Sequence, residues 1–193
     1  MRIKMTIASL LVIGVALSLP MSATSGAKGR NEIFSSLAQF PGAGTTNVKI
    51  YINGYSSPQD AERLNATLLK GGPNALLKAL RKMKSLGRIE RDASVGFYDF
   101  KLILSTTTAT GRHIYAVADR PIGFLEAARG TRSKDYPFGI LELDLKADDN
   151  EREKEKGEGT LIYAAKIRVI HGEKVEIENF NFAPIKLLGV RKL

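Results

Sequence analysis

The chain has 193 residues and no cysteine, and its 29 basic against 20 acidic residues give a formal net charge of +9. Without cysteine there are no disulfides, no thiolate metal sites, no cysteine nucleophile and no lipid anchor on a cysteine. Two histidines are too few for a structural zinc site, and the basic excess bears on solubility and anionic partners rather than on fold.

Arg2 and Lys4 precede an uncharged apolar run from Ile7 to Leu19, which Pro20 ends, and small residues follow through Ala27. That order is the pattern of a secretory signal peptide over residues 1–27, with cleavage expected after Ser25 or Ala27. A membrane span needs about 20 apolar residues, so this run is too short for a retained anchor. The expectation is an exported protein, periplasmic or extracellular, with no transmembrane segment in the mature chain. Its stability must come from a packed core, and residues 28–193 are enough to build one.

Residues 28–47 read as a partly flexible leader with Phe34, Leu37 and Phe40 as anchors, and residues 48–193 as a single α+β domain. Val48 to Ile52 alternates with the period of a half-buried strand, and Asn53-Gly54 suits a tight turn. Ser57-Pro58 then supplies a capping hydroxyl and a proline at the first helical position. Ala61, Leu64 and Leu68 share one helical face, and Gly71-Gly72 ends that helix. Pro73 opens a second helix over residues 73–86, with Leu76, Leu77, Leu80 and Met83 on its apolar side and Gly87 as its stop. The pair predicts an αα-hairpin.

From Ser94 onward the period is two. Tyr98, Phe100, Leu102 and Leu104 fall on one strand face, Thr106 to Gly111 reads as a loop, and Ile114, Ala116 and Ala118 continue on the return strand. Further strands are expected over residues 138–145, 160–170, 174–182 and 185–190, with a charged loop over 148–159. Successive strands with short turns predict an antiparallel meander of six or seven strands, with the helices covering one face. Long edges need protection, so the pattern also admits a closed or nearly closed barrel.

Three constellations carry chemistry. Lys78, Arg81 and Lys82 line the polar side of the second helix, beside Lys70, Lys84 and Arg88, as a surface for anionic lipid or polymer or as an ordinary solvated face. No aromatic side chain interleaves them, so specific nucleic-acid binding is not expected. The segment from Asp119 to Tyr136 gathers Arg129, Arg132, Asp135 and Tyr136, which could hold a carboxylate or phosphate, or could pin the loop through pairs with Glu126 and Asp135. His113, with Asp119 or Glu126 as its orienter and Arg132 nearby, is the only acid–base set the residues suggest. His171 reads as a turn residue. Asp148, Asp149, Asn150 and Glu151 lack the ligand spacing of a calcium loop. No nucleophile elbow, phosphate loop or dinucleotide fingerprint appears, so no cofactor, metal or catalytic residue is assigned.

The run Arg132-Ser133-Lys134-Asp135-Tyr136-Pro137-Phe138-Gly139, followed by Gly157-Glu158-Gly159-Thr160-Leu161, resembles segments of uncharacterised exported bacterial proteins. The resemblance covers the C-terminal half and implies no activity, cofactor or site. The reading from sequence is thus an exported, non-catalytic binding or structural module of the cell envelope. Its alternatives are an envelope hydrolase built on His113, Asp119, Glu126 and Arg132, and a binder of anionic membrane or polymer through the basic helix.

Overall fold

The computed structural model describes residues 31–92, 96–123, 135–146, 155–170, 174–180 and 183–193. The expected signal peptide, Glu126, Arg129, Arg132, His171 and the acidic run from Asp148 to Glu151 lie outside those residues. In chain order the elements are β1 (Glu32–Phe40), β2 (Gly44–Ile52), α1 (Pro58–Leu80), β3 (Gly87–Arg91), β4 (Phe97–Thr108) and β5 (Gly111–Ala118). They continue as β6 (Phe138–Lys146), β7 (Lys156–Ile170), β8 (Lys174–Asn179) and β9 (Ile185–Lys192).

The strands pair antiparallel in the order β6-β5-β4-β3-β2-β1-β9-β7, and β7 pairs back onto β6. This closes an eight-stranded barrel, so the expected α+β arrangement of an N-terminal αα-hairpin packed on a meander of six or seven strands is corrected. Closure comes from β1 and β9, the two ends of the described chain. Phe34 pairs with Lys192 and Leu37 with Leu188, and Ser36 Oγ donates to the Leu188 carbonyl at 3.0 Å. Residues 32–40, read from sequence as leader, are therefore a wall of the barrel. β8 adds to the same edge of β7 as β9, beyond its end, because Ala165 pairs with both Phe138 and Asn179.

Eight strands enclose a lumen just wide enough for side chains to fill. Phe34, Ile50, Ile89, Phe100, Ile103, Ile114, Leu141, Leu161 and Leu187 fill it, all fully buried. Gly139 leaves room for Ile122, whose side chain lies 2.6 Å from where a Cβ would stand, and Ile122 is anchored by donation to the Tyr163 carbonyl at 2.7 Å. At Gly157 a Cβ would sit 1.9 Å from the Asp144 carbonyl oxygen, so only glycine lets β6 and β7 approach here. That is why Lys156 to Gly159, expected in a charged loop, pair as strand with both β6 and β9.

A second core lies outside the barrel. Leu64, Leu68, Leu76, Leu77 and Leu80 of α1 pack on Tyr115, Val117, Phe138, Ile140, Ala165 and Ile167. β5 is consequently buried on both faces from Ile114 to Ala118. Ser57 caps the helix by accepting from the Asp60 amide at 3.1 Å, with Pro58 opening it. Gly72, at φ 71°, breaks the helical backbone where the sequence expects a left-handed residue. The expected break at Gly72 is therefore present inside α1, but the two parts do not make the expected αα-hairpin, and the second ends at Leu80 rather than at residue 86.

Candidate functional site

Helical spacing divides the basic residues, because Lys78 and Lys82, four apart, share a side that Arg81 does not. Arg63 from the first half of α1 and Lys78 and Lys82 from its second half and C-terminal turn line one groove, floored by Ala75, Ala79 and Met83. Arg81 instead lines a neighbouring groove with Lys101, Arg120, Asp99 and Asp119, at the rim where β5 ends. Lys78, Arg81 and Lys82 are exposed, and they make no ion pair among the described residues. Arg63 is the exception on this ridge, held by Asp60 at 2.9 Å.

Lys101 reaches the rim groove through a register shift. Between Phe100 and Leu102 the pairing with β5 skips a residue, and an extra residue in one strand re-aims side chains. Phe100 and Ile103 therefore both enter the lumen while Leu102 packs under the helix. The single alternating face expected from Tyr98 to Leu104 is divided at that point. Sequence periodicity carries no signal for a bulge, so Lys101 was not legible as a site residue.

Beside the rim groove an aromatic strip crosses the outer face of β2, β3 and β4. The Arg88 guanidinium lies over the Tyr51 ring at 4.6 Å and over the Phe97 ring at 5.2 Å. Tyr51 donates to Glu90 at 2.5 Å, which pushes its phenol above the ordinary range. Asp99 accepts from Ser85 Oγ at 2.8 Å and stands 3.9 Å from Arg120, whose guanidinium lies over Tyr98 at 5.7 Å. Phe97 remains 49% exposed.

The second sequence-derived site is divided. Arg129 and Arg132 lie outside the described residues. Tyr136 donates to Glu178 at 2.5 Å and packs against Phe180 with ring centroids 5.0 Å apart. The hydrogen bond to Glu178 raises its phenol pKa, and Glu178 also pairs with Arg168. Tyr136 is thus a pin between the start of β6 and β8. Asp135 is exposed in a turn and has no partner among the described residues.

The acid–base set is separated. His113 and Asp119 stand at opposite ends of β5, six residues or about 20 Å apart at strand rise. His113 Nδ1 instead meets Asp144 Oδ1 at 2.7 Å, its directly paired residue on β6. Glu142, next along that face, has its carboxyl raised by burial, against the pull of His113. Asp119 therefore cannot orient His113.

The strongest charge cluster was not singled out from sequence at all. Glu32, Tyr55, Arg112, Glu155 and Lys192 converge on one end of the lumen from β1, the β2–α1 connection, β5, the residue before β7, and β9. Arg112 bonds Glu32 at 3.2 Å and Glu155 at 2.6 Å, Lys192 bonds Glu32 at 2.5 Å, and Tyr55 donates to Glu32. Glu32 is 6% exposed. Burial alone would raise its carboxyl, but the bonds from Lys192, Tyr55 and Arg112 outweigh that and hold it below the ordinary carboxylate value. Burial and the bond to Glu32 push the Tyr55 phenol up. Two carboxylates answering two cations make this a structural plug.

Among the described residues no helix is long and apolar enough to cross a membrane, and no group of three or more His, Asp or Glu side chains could hold a metal. No protein-family model, curated protein or solved structure matches the chain.

Proposed function

We propose that this chain is an exported, non-catalytic binding module of a bacterial cell envelope, which holds an anionic partner on the ridge formed by Lys78, Arg81 and Lys82. The observation that carries the reading is the contrast in charge compensation. The ridge cations are exposed and without ion-pair partners among the described residues, whereas the half-buried cations Arg112 and Lys192 are matched by Glu32 and Glu155. Uncompensated charge of one sign on one face attracts counter-charged ligands and raises their local concentration.

The barrel interior supports binding on the outside. Its lumen is packed with apolar side chains, so a ligand does not enter it as one would in a larger barrel. An apolar lumen with charged outer strand positions such as Lys49, Arg88 and Glu90 is also the reverse of a membrane-spanning pore. Export rests on the basic, apolar and small-residue order of residues 1–27.

Retention on an anionic matrix, measured against salt with the wild type and the K78E/K82E double variant, tests the binding. Retention that falls steeply with salt and drops in the variant is expected. Salt-insensitive retention, or a variant that binds as the wild type does, refutes it. Determining the N-terminus of protein recovered outside the cytoplasm tests export, with a start at Gly26 or Lys28 expected.

A further inference from the structure

We infer that the rim groove of Arg81, Lys101, Arg120, Asp99 and Asp119, together with the exposed Phe97, is a saccharide site, and that the anionic partner is an acidic polysaccharide carrying carboxylates on its sugar units. The inference deepens the anion-binding reading and rests on it.

The two grooves beside the ridge differ in a way that a simple anionic surface does not explain. The groove of Arg63, Lys78 and Lys82 has no carboxylate in its lining. The rim groove sets Asp99 and Asp119 among three cations. A bilayer of anionic headgroups, or a chain bearing only phosphates, would meet those carboxylates as repulsion. A sugar unit would not, because its hydroxyls donate to carboxylates while its own acid group pairs with Arg81, Lys101 or Arg120. Asp119 has no hydrogen-bond or ion-pair partner among the described residues, so its acceptor capacity is open to a ligand. Asp99 already accepts from Ser85, which fixes its carboxylate at the groove edge.

Phe97 supplies the third requirement. Its ring sits two residues before Asp99 on the same strand, 49% exposed, with Arg88 braced against it. Exposed rings give large contact area at low entropy cost, which suits the C–H face of a sugar ring. The rim groove is a shallow, open depression of about 270 Å³, below the range of pockets that bury a drug-sized ligand. It is open enough to seat a short stretch of a chain continuing past both ends. Arg81 and Lys82 are adjacent residues lining the two grooves, so one polymer can cross from the rim to the ridge.

The test is the affinity of the full exported protein for polygalacturonate, neutral dextran and phosphatidylglycerol vesicles, with F97A and D119A beside K78E/K82E. The two readings predict opposite signs for D119A. Removing a negative charge tightens any purely electrostatic association, whereas removing a sugar acceptor loosens a saccharide site. The inference expects polygalacturonate to bind in preference to vesicles and dextran, and F97A and D119A each to weaken that binding five- to tenfold. Both variants should keep the wild-type melting temperature, since Phe97 is exposed and Asp119 makes no hydrogen bond or ion pair among the described residues, and D119A stands alone if F97A fails to fold. Polygalacturonate binding lost in K78E/K82E, but unchanged in F97A and unchanged or tighter in D119A, overturns the saccharide site and leaves the anion reading intact. Preference for the vesicles likewise overturns it in favour of a membrane. Failure to bind any polyanion overturns both readings.

Discussion

Two clusters of charge sit on this barrel and behave in opposite ways. At one end of the lumen Arg112 and Lys192 meet Glu32 and Glu155 in a half-buried network completed by Tyr55. On the outer face Lys78, Arg81 and Lys82 project from α1 and its C-terminal turn and make no ion pair among the described residues. Desolvation explains the difference. A charge taken out of water must be paired, or its burial costs several kcal/mol, while a solvated charge needs no partner. The plug spends its charges on one another inside the barrel, and the ridge leaves its charges to solvent.

Breaking the plug should have the largest effect. Arg112→Met leaves Lys192 as the one cation of the plug facing Glu32 and Glu155, and truncating one partner of a buried ion pair costs about 3–5 kcal/mol. Denaturant unfolding should show a loss near the lower end of that range, because Arg112 keeps 20% side-chain exposure. A loss under about 0.5 kcal/mol would mean that the plug is ornamental to stability. Acid should do the same work reversibly. The folded pKa of Glu32 lies below its ordinary 4.5, so its contribution is fully present above that value and disappears as pH falls through the folded pKa. Stability measured from pH 6 to pH 2 should fall more steeply in the wild type than in Glu32→Gln.

The ridge should respond in the other sense. K78E/K82E should move unfolding by no more than about 0.5 kcal/mol, as exposed substitutions do, while weakening retention on an anionic matrix about tenfold, or 1.4 kcal/mol. A large loss of stability would place the ridge with the plug. The smallest effect is expected at Glu142, whose carboxyl is raised by burial. Its ionised form is disfavoured in the fold, so the cost is present above the folded pKa and absent below 4.5. Glu142→Gln should raise the melting temperature slightly at pH 7 and leave it unchanged at pH 4 and below.

Some of this was legible in the residues. Val48 to Ile52 alternates, and Val48, Ile50 and Ile52 do line the lumen. Leu141, Leu143 and Leu145 face inward as their spacing predicts, and Ser57-Pro58 begins the helix. β1 is not legible in that way, because residues 28–47 read as a leader in which Phe34, Leu37 and Phe40 are anchors. The true period is two: Phe34, Ser36, Ala38 and Phe40 are buried while Leu37 is 39% exposed. Small and polar inward residues mask a strand wherever the lumen has no room for larger ones. β3 was missed because Gly87 looked like a helix stop. It is instead the first residue of a strand, pressed so close to the Tyr51 carbonyl that a Cβ would stand 2.3 Å from it.

The candidate sites divide along the same line. The basic character of residues 78–82 is local and was read directly. The partners that Arg81 meets in the rim groove come from β4 and the end of β5, and Lys101 joins them through the bulge. The plug was invisible because its members come from five separate parts of the chain, with Glu32 and Lys192 at |i−j| of 160.

Sequence by itself determined what short-range physics controls: strand alternation, the helix cap, the break at Gly72, the absence of disulfides and the sign of the charge. Tertiary structure alone decided that the sheet closes, that β5 is buried on both faces, and which charges are matched. Closure depends on hydrogen bonds between β1 and β9, residues more than a hundred positions apart, and no local pattern reports whether two such edges will meet.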